Sequence, residues 1–167
     1  ACFNGFMPLI REFSVSGHRS PAISRSPRSF EVWSEFFRYD SSVPDTARCS
    51  PGSEPEGCGI PLPFRIGIIE MPISLPLDSS LLFIGRTADE LFSIWTRKLD
   101  WLEHHGALAV LVLHCESHLF LRDDLLSRYR DFLDALRRRE AFWIAPLAEI
   151  AAHVESHPDL WAAIPSP

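Results

Sequence analysis

The chain has 167 residues, 46% of them hydrophobic and 23% charged, which allows one sizeable core and is ordinary for a globular domain. A formal net charge of −6 argues against nucleic acid or an anionic membrane surface as the main partner, and no apolar run is long enough to span a bilayer. Lys98 is the only lysine, so arginine carries nearly all the positive charge.

A short strand is expected around Phe13-Ser14-Val15, leading into Gly17-His18-Arg19-Ser20-Pro21. A helix follows, with Phe30, Trp33 and Phe37 at helical spacing and Ser29 as its N-cap. Arg38-Tyr39-Asp40-Ser41-Ser42 reads as a brief extended segment. Residues 43–63 are crowded with Pro, Gly, Ser and Glu and form a long loop, of the kind that is functional or mobile in a compact domain. Within it Cys49 and Cys58 flank a stretch that an oxidising compartment would allow to be bridged. With Cys2 and Cys115 they show no C-x-x-C spacing, which excludes an obvious zinc ribbon.

Ile66-Gly67-Ile68-Ile69-Glu70-Met71-Pro72 is expected as a strand closed by proline. The clearest helix comes next. Thr87 and Glu90 have capping-box spacing, Ala88, Leu91, Trp95, Leu99 and Leu102 make one apolar stripe, and Gly106 stands where a C′ glycine belongs. The continuous apolar run from Ala107 to Leu113 then predicts a strand buried on both faces.

Leu121, Leu125, Tyr129, Phe132 and Leu136 mark another amphipathic helix, and Arg137, Arg138 and Arg139 at its end complement the helix dipole. Ala141-Phe142-Trp143-Ile144-Ala145 is expected as the last strand, and Pro146 starts a helix with Leu147, Ile150 and Val154 inward. From residue 65 onward the expected order is strand, helix, strand, helix, strand, helix, which is α/β with parallel strands.

In such folds the carboxyl ends of the strands carry the chemistry. Three strand ends gather polar groups: Arg19 with Pro21, Tyr39 with Asp40, and His114 with Glu116 and His118. An arginine, an aspartate and a histidine on one rim can make a proton-transfer site, the guanidinium fixing a carboxylate and the imidazole giving up a proton. The plainer reading of His114 is a local strand cap. His114 and His118 have i, i+4 spacing, which binds metal when both lie on one helix face, whereas here a strand end and a loop are expected. His104 and His105 close a helix, where histidine is common for dipole reasons. Trp143, at a strand end, can line a cleft.

Taken together these elements resemble the polysaccharide deacetylases of the NodB-homology group. Gly17-His18-Arg19-Ser20-Pro21 is similar to their Gly-Phe-Arg-x-Pro element, Tyr39-Asp40-Ser41-Ser42 to their Tyr-Asp-Ser-Ser element, and Glu70-Met71-Pro72 to their Glu-x-Pro strand. Leu113-His114 resembles the late Leu-x-His element, Tyr129, Phe132 and Leu133 fit the Tyr-x-x-Phe-Leu helix, and Trp143 with Ala148-Glu149-Ile150-Ala151 fits the closing segment. The likeness runs from about Val15 to Val154.

The resemblance implies α/β architecture as the C-terminal part of a distorted (β/α) barrel with mostly parallel strands. It also implies a divalent-metal-dependent enzyme, zinc being the expected ion, that hydrolyses N- or O-acetyl groups on a glycan. His114 would then be the general acid, Arg19 would orient the base carboxylate and Asp40 would support the site. Pro21, Tyr39 and Trp143 would contact substrate, and the loop at 43–63 would shape the glycan groove. The family takes its base and metal ligands from an Asp-Asp element and a His-x-x-x-His element. No Asp-Asp precedes residue 120, no His-x-x-x-His occurs in the first half, and Asp123-Asp124 opens a helix instead. Cys115 also follows His114 where the family has proline.

The chain opens at Ala1 without an initiator methionine, so the expectation is a single partial domain over 1–167 with its ordered core at about 65–155. Such a piece would bind no metal tightly, would be inactive alone and would self-associate through open sheet edges. Two rival functions share the scaffold: a C–N hydrolase acting on a small amide, as allantoinase-like members do, and a non-catalytic domain for carbohydrate binding or assembly.

Overall fold

The structure, a computed structural model, describes residues 5–45, 59–116 and 123–162. Cys2, Cys49, Cys58, His118, Leu121 and most of the expected 43–63 loop lie outside the described residues. The chain divides into two compact units, one made of Ala1–Val43, Leu62–Pro72 and Ala145–Pro167, the other of Pro44–Pro61 and Ile73–Ile144. No helix among the described residues is long and apolar enough to cross a membrane.

The first unit holds the sheet. Helix α1 (Met7–Glu12) ends in a turn in which the Phe13 N–H donates to the Leu9 carbonyl at 3.0 Å and the Val15 N–H to the Ile10 carbonyl at 2.9 Å. Phe13-Ser14-Val15 is therefore a helix exit rather than the expected strand, and strand β1 is Gly17–His18. Helix α2 (Pro27–Ser34) is capped by Ser26, not Ser29. Ser29 sits at the third helical position, where it and Ser26 bond each other's backbone N–H reciprocally. Phe37 lies beyond its end.

Strand β2 is Tyr39–Asp40. The single strand expected over 66–72 is two short antiparallel strands, β3 (Phe64–Ile66) and β4 (Ile68–Glu70). Gly67 makes the reversal at φ +84°, a conformation that costs glycine little. The four-stranded sheet has the order β1-β2-β4-β3, with β1, β2 and β4 parallel. The fold is thus mixed α/β with a mostly parallel sheet. Helix α6 (Leu147–Ser156) follows Pro146 as expected and buries Ala151 and Val154.

The second unit is helical. Helix α3 (Asp78–Phe83) has no counterpart in the expected elements. Helix α4 (Ala88–His104) carries the expected capping box, with Thr87 and Glu90 bonded reciprocally. It ends in a Schellman turn: the Gly106 N–H donates to Glu103 at 3.2 Å, the Ala107 N–H to Leu102 at 2.9 Å, and Gly106 has φ +60°. Its stripe of Leu91, Trp95, Leu99 and Leu102 is buried and packs with Leu125 and Phe132 of helix α5 (Asp123–Arg137). Arg139, just past α5, grips Asp100 at 2.6 Å and Glu103 at 2.8 Å on α4.

Two expected strands are absent. Residues 107–113 form no strand, and among them only Val110 is buried. Their backbone is satisfied piecemeal. Leu108 N–H donates to the Pro61 carbonyl at 3.0 Å and Leu75 N–H to the Val110 carbonyl at 3.1 Å, while Val110 N–H uses the Ser74 hydroxyl at 2.8 Å. Pro61 and Pro76 have no N–H to return, so a regular ladder cannot propagate on either side. Residues 141–145 form no strand either. Phe142 closes a turn onto Arg139 at 3.3 Å, and Trp143 and Ile144 are exposed. The expected strand–helix alternation therefore gives way, in the second unit, to helices joined by irregular segments.

Candidate functional site

In the first unit the carboxyl ends of β1, β2 and β4 bring His18, Arg19, Asp40, Ser41, Ser42 and Glu70 together. The register pairs Gly17 with Tyr39 and His18 with Asp40 across β1 and β2, and Asp40 with Glu70 across β2 and β4. Gly17 is needed at its place because a Cβ there would fall 2.1 Å from Cζ of the Tyr39 ring. Asp40 and Glu70 are fully buried.

Each polar group in this cluster is tied to another. Asp40 Oδ1 accepts from Nδ1 of His18 at 2.7 Å and from the Ser42 hydroxyl at 3.0 Å. The His18 ring lies 4.4 Å from that of Trp33 and 5.1 Å from that of Phe37, so aromatic walls hold it against the carboxylate. Arg19 does not bond Asp40. Its Nε donates to the Ser41 carbonyl at 2.7 Å and its Nη2 to the Ser41 hydroxyl at 2.8 Å, and the same hydroxyl donates to the Met71 carbonyl at 2.8 Å. Desolvation of its inner end lowers the pKa of the guanidinium, against the attraction of Asp40, Glu70 and Tyr39.

The second unit carries a different arrangement. Asp78, fully buried at the start of α3, accepts from Nδ1 of His114 at 2.6 Å through Oδ1 and from the His114 backbone N–H at 2.8 Å through Oδ2. The Ser79 N–H also donates to Oδ1, at 2.7 Å. Because a carboxylate only accepts, Nδ1 carries the hydrogen and Nε2 is the ring atom left for chemistry. The side chain of His114 is 36% exposed.

Of the residues singled out from sequence, Arg19, Pro21, Tyr39 and Asp40 are gathered in the first unit, and His114 and Trp143 belong to the second. Asp78 was not among them, and His18 and Glu70 stood only inside motifs, without a site role. Asp78 leaves one trace in sequence, an acid after Pro76-Leu77 at the head of a short helix. The sequence shows no pairing with a histidine 36 residues away.

The metal of the resembled family needs a carboxylate and two imidazoles. Among the described residues no group of three or more His, Cys, Asp or Glu side chains is placed to hold a metal ion, so the described residues do not by themselves supply that set.

No protein-family model matches the chain, and no curated protein matches it in sequence. In fold it is similar to a crystal structure from Mycobacterium smegmatis provisionally named a polysaccharide deacetylase, with a TM-score of 0.65 and 21% identity. The match covers 90% of this chain and 53% of that one, so the chain spans about half the length of that structure. The likeness is one of fold, a mixed α/β scaffold with a mostly parallel sheet.

Proposed function

We propose that the chain is the C-terminal part of a distorted (β/α) barrel whose whole protein hydrolyses acetyl groups on a glycan. The observation that carries this reading is the Asp78–His114 pair on a deacetylase-like scaffold. Hydrolysis of an acetamide needs a proton for the departing nitrogen once water has added to the carbonyl, since an amide anion is too poor a leaving group.

His114 supplies that proton from Nε2. Asp78 fixes the tautomer through Nδ1 and stabilises the imidazolium before transfer, and the C–N bond breaks as the proton reaches nitrogen. The roles of Arg19 and Asp40 in supporting the base, and of Pro21, Tyr39 and Trp143 in contacting the sugar, rest on the family resemblance alone.

The test compares substrates. The whole gene product containing this chain is expected to release acetate from N- or O-acetylated oligosaccharides and to leave small cyclic amides intact. Turnover of the small amides alone would favour the C–N hydrolase reading. Glycan binding without turnover would favour a non-catalytic domain.

A further inference from the structure

Asp40 and Glu70 face each other across paired parallel strands, with neither side chain reached by water. The Ser42 N–H is shared between them, 3.0 Å from Asp40 Oδ2 and 3.1 Å from Glu70 Oε1, which places carboxyl beside carboxyl. Glu70 Oε1 also accepts the Val43 N–H at 2.9 Å. Its other oxygen, Oε2, is buried and receives no hydrogen bond from a donor among the described residues.

The charges around Glu70 do not compensate a second anion. On β1 and just after it stand His18, bonded to Asp40, and Arg19, bonded to Ser41. On β2 stand Tyr39 and Asp40 itself. Arg65 on β3 is exposed and stacks over Trp161 at 5.0 Å, and Arg28 and Glu31 on α2 are exposed. Arg25 reaches backbone carbonyls of Ile23 and Ser42. None of these cations bonds Glu70. Arg19 attracts Glu70 from its seat on Ser41 without bonding it, and two adjacent buried carboxyls with no cation bonded between them disfavour ionisation of both.

We propose that Glu70 is a positioning residue that works as a neutral carboxylic acid: Oε2–H is shared with Asp40 while Oε1 holds the Ser42 and Val43 amides. The pair thereby fixes the Asp40-Ser41-Ser42 turn on which Arg19 is docked. Burial first, then the charge of Asp40 and a hydrogen bond to it, push the Glu70 pKa up from 4.5 to about 9. The oxygen without a donor is the one that takes the proton.

Two readouts test this without any enzymatic assay. In the chain labelled with ¹³C at glutamate side-chain carboxyls, one resonance is expected to hold the position of a protonated acid through about pH 7 and to move only near pH 9. That resonance is expected to be missing from Glu70→Gln and to titrate lower in Asp40→Asn. If every glutamate carboxyl titrates below about pH 6, the proposal is overturned, and this outcome needs no variant to fold.

The second readout is the unfolding midpoint against pH. The native state keeps a proton that the unfolded chain, at an ordinary 4.5, has lost, so raising the pH favours unfolding up to about 9. The wild-type midpoint is expected to fall as pH rises from about 6 to 9. Glu70→Gln, which keeps the acceptor and supplies an N–H to Asp40, is expected to lose that slope and to melt higher than wild type near the upper end. An unchanged slope in Glu70→Gln would overturn the proposal.

Discussion

Asp78 holds His114 through both of its oxygens, one on the ring Nδ1 at 2.6 Å and one on the backbone N–H at 2.8 Å. The double attachment fixes the position of the ring as well as its tautomer. Replacing Asp78 by Asn puts an N–H₂ donor where one acceptor stood, so the ring must flip its tautomer or lose the bond. Asp78→Asn is therefore expected to lower kcat of the whole enzyme by about 10²–10⁴-fold, with KM little changed. Steady-state kinetics on variant protein whose circular dichroism matches wild type checks this.

Arg19 offers a second test. Its Nε and Nη2 take the carbonyl and the hydroxyl of Ser41 together, a two-point grip that a single ammonium cannot reproduce. Arg19→Lys and Ser41→Ala are each expected to cost about 1–2 kcal/mol. Because both remove the contact between Nη2 and the Ser41 hydroxyl, the double variant is expected to cost clearly less than the sum. Urea unfolding of the four proteins gives the coupling, and full additivity would contradict the shared grip.

Helix α4 is fixed at both ends by local chemistry. Thr87→Ala removes the hydroxyl that accepts the Glu90 N–H and is expected to cost about 1 kcal/mol. Gly106→Ala forces a Cβ into φ +60° and is expected to cost a similar amount, about 1 kcal/mol. The two sites lie at opposite ends of a 17-residue helix, so their effects are expected to add. Denaturation midpoints of the two single variants and the double variant decide it.

The caps of α4 were legible because every partner lies within a few residues. So were the stripes of α4 and α5, whose period is set by the helix itself. The strands at Tyr39–Asp40 and Ile68–Glu70 stood within the expected segments, although the hairpin at Gly67 did not show through the apolar run. The strands expected at 107–113 and 141–145 failed for another reason. An apolar run states only that a segment prefers burial, whereas a ladder also needs a neighbour with free N–H and C=O groups. Pro61 and Pro76 withhold donors, and Ser74 and Asp78 supply side-chain acceptors instead.

The candidate site was legible in the same uneven way. His114 stood out as the polar residue ending an apolar run, and Arg19 and Asp40 as polar groups at expected strand ends. Their partners did not, because strand register and the placing of α3 decide them. Glu70 reads in sequence as a strand residue before Met71-Pro72, and only the pairing with Asp40 turns it into one of two buried acids.

The central claim is that His114 gives the proton that releases the leaving group. Acetate released from an acetylated oligosaccharide by the whole gene product, measured for wild type and His114→Ala side by side, tests it most directly. Wild type is expected to release acetate, and folded His114→Ala to retain on the order of 1% of that rate or less. Equal rates in the two proteins, or no acetate from wild type on any acetylated glycan, would contradict the account.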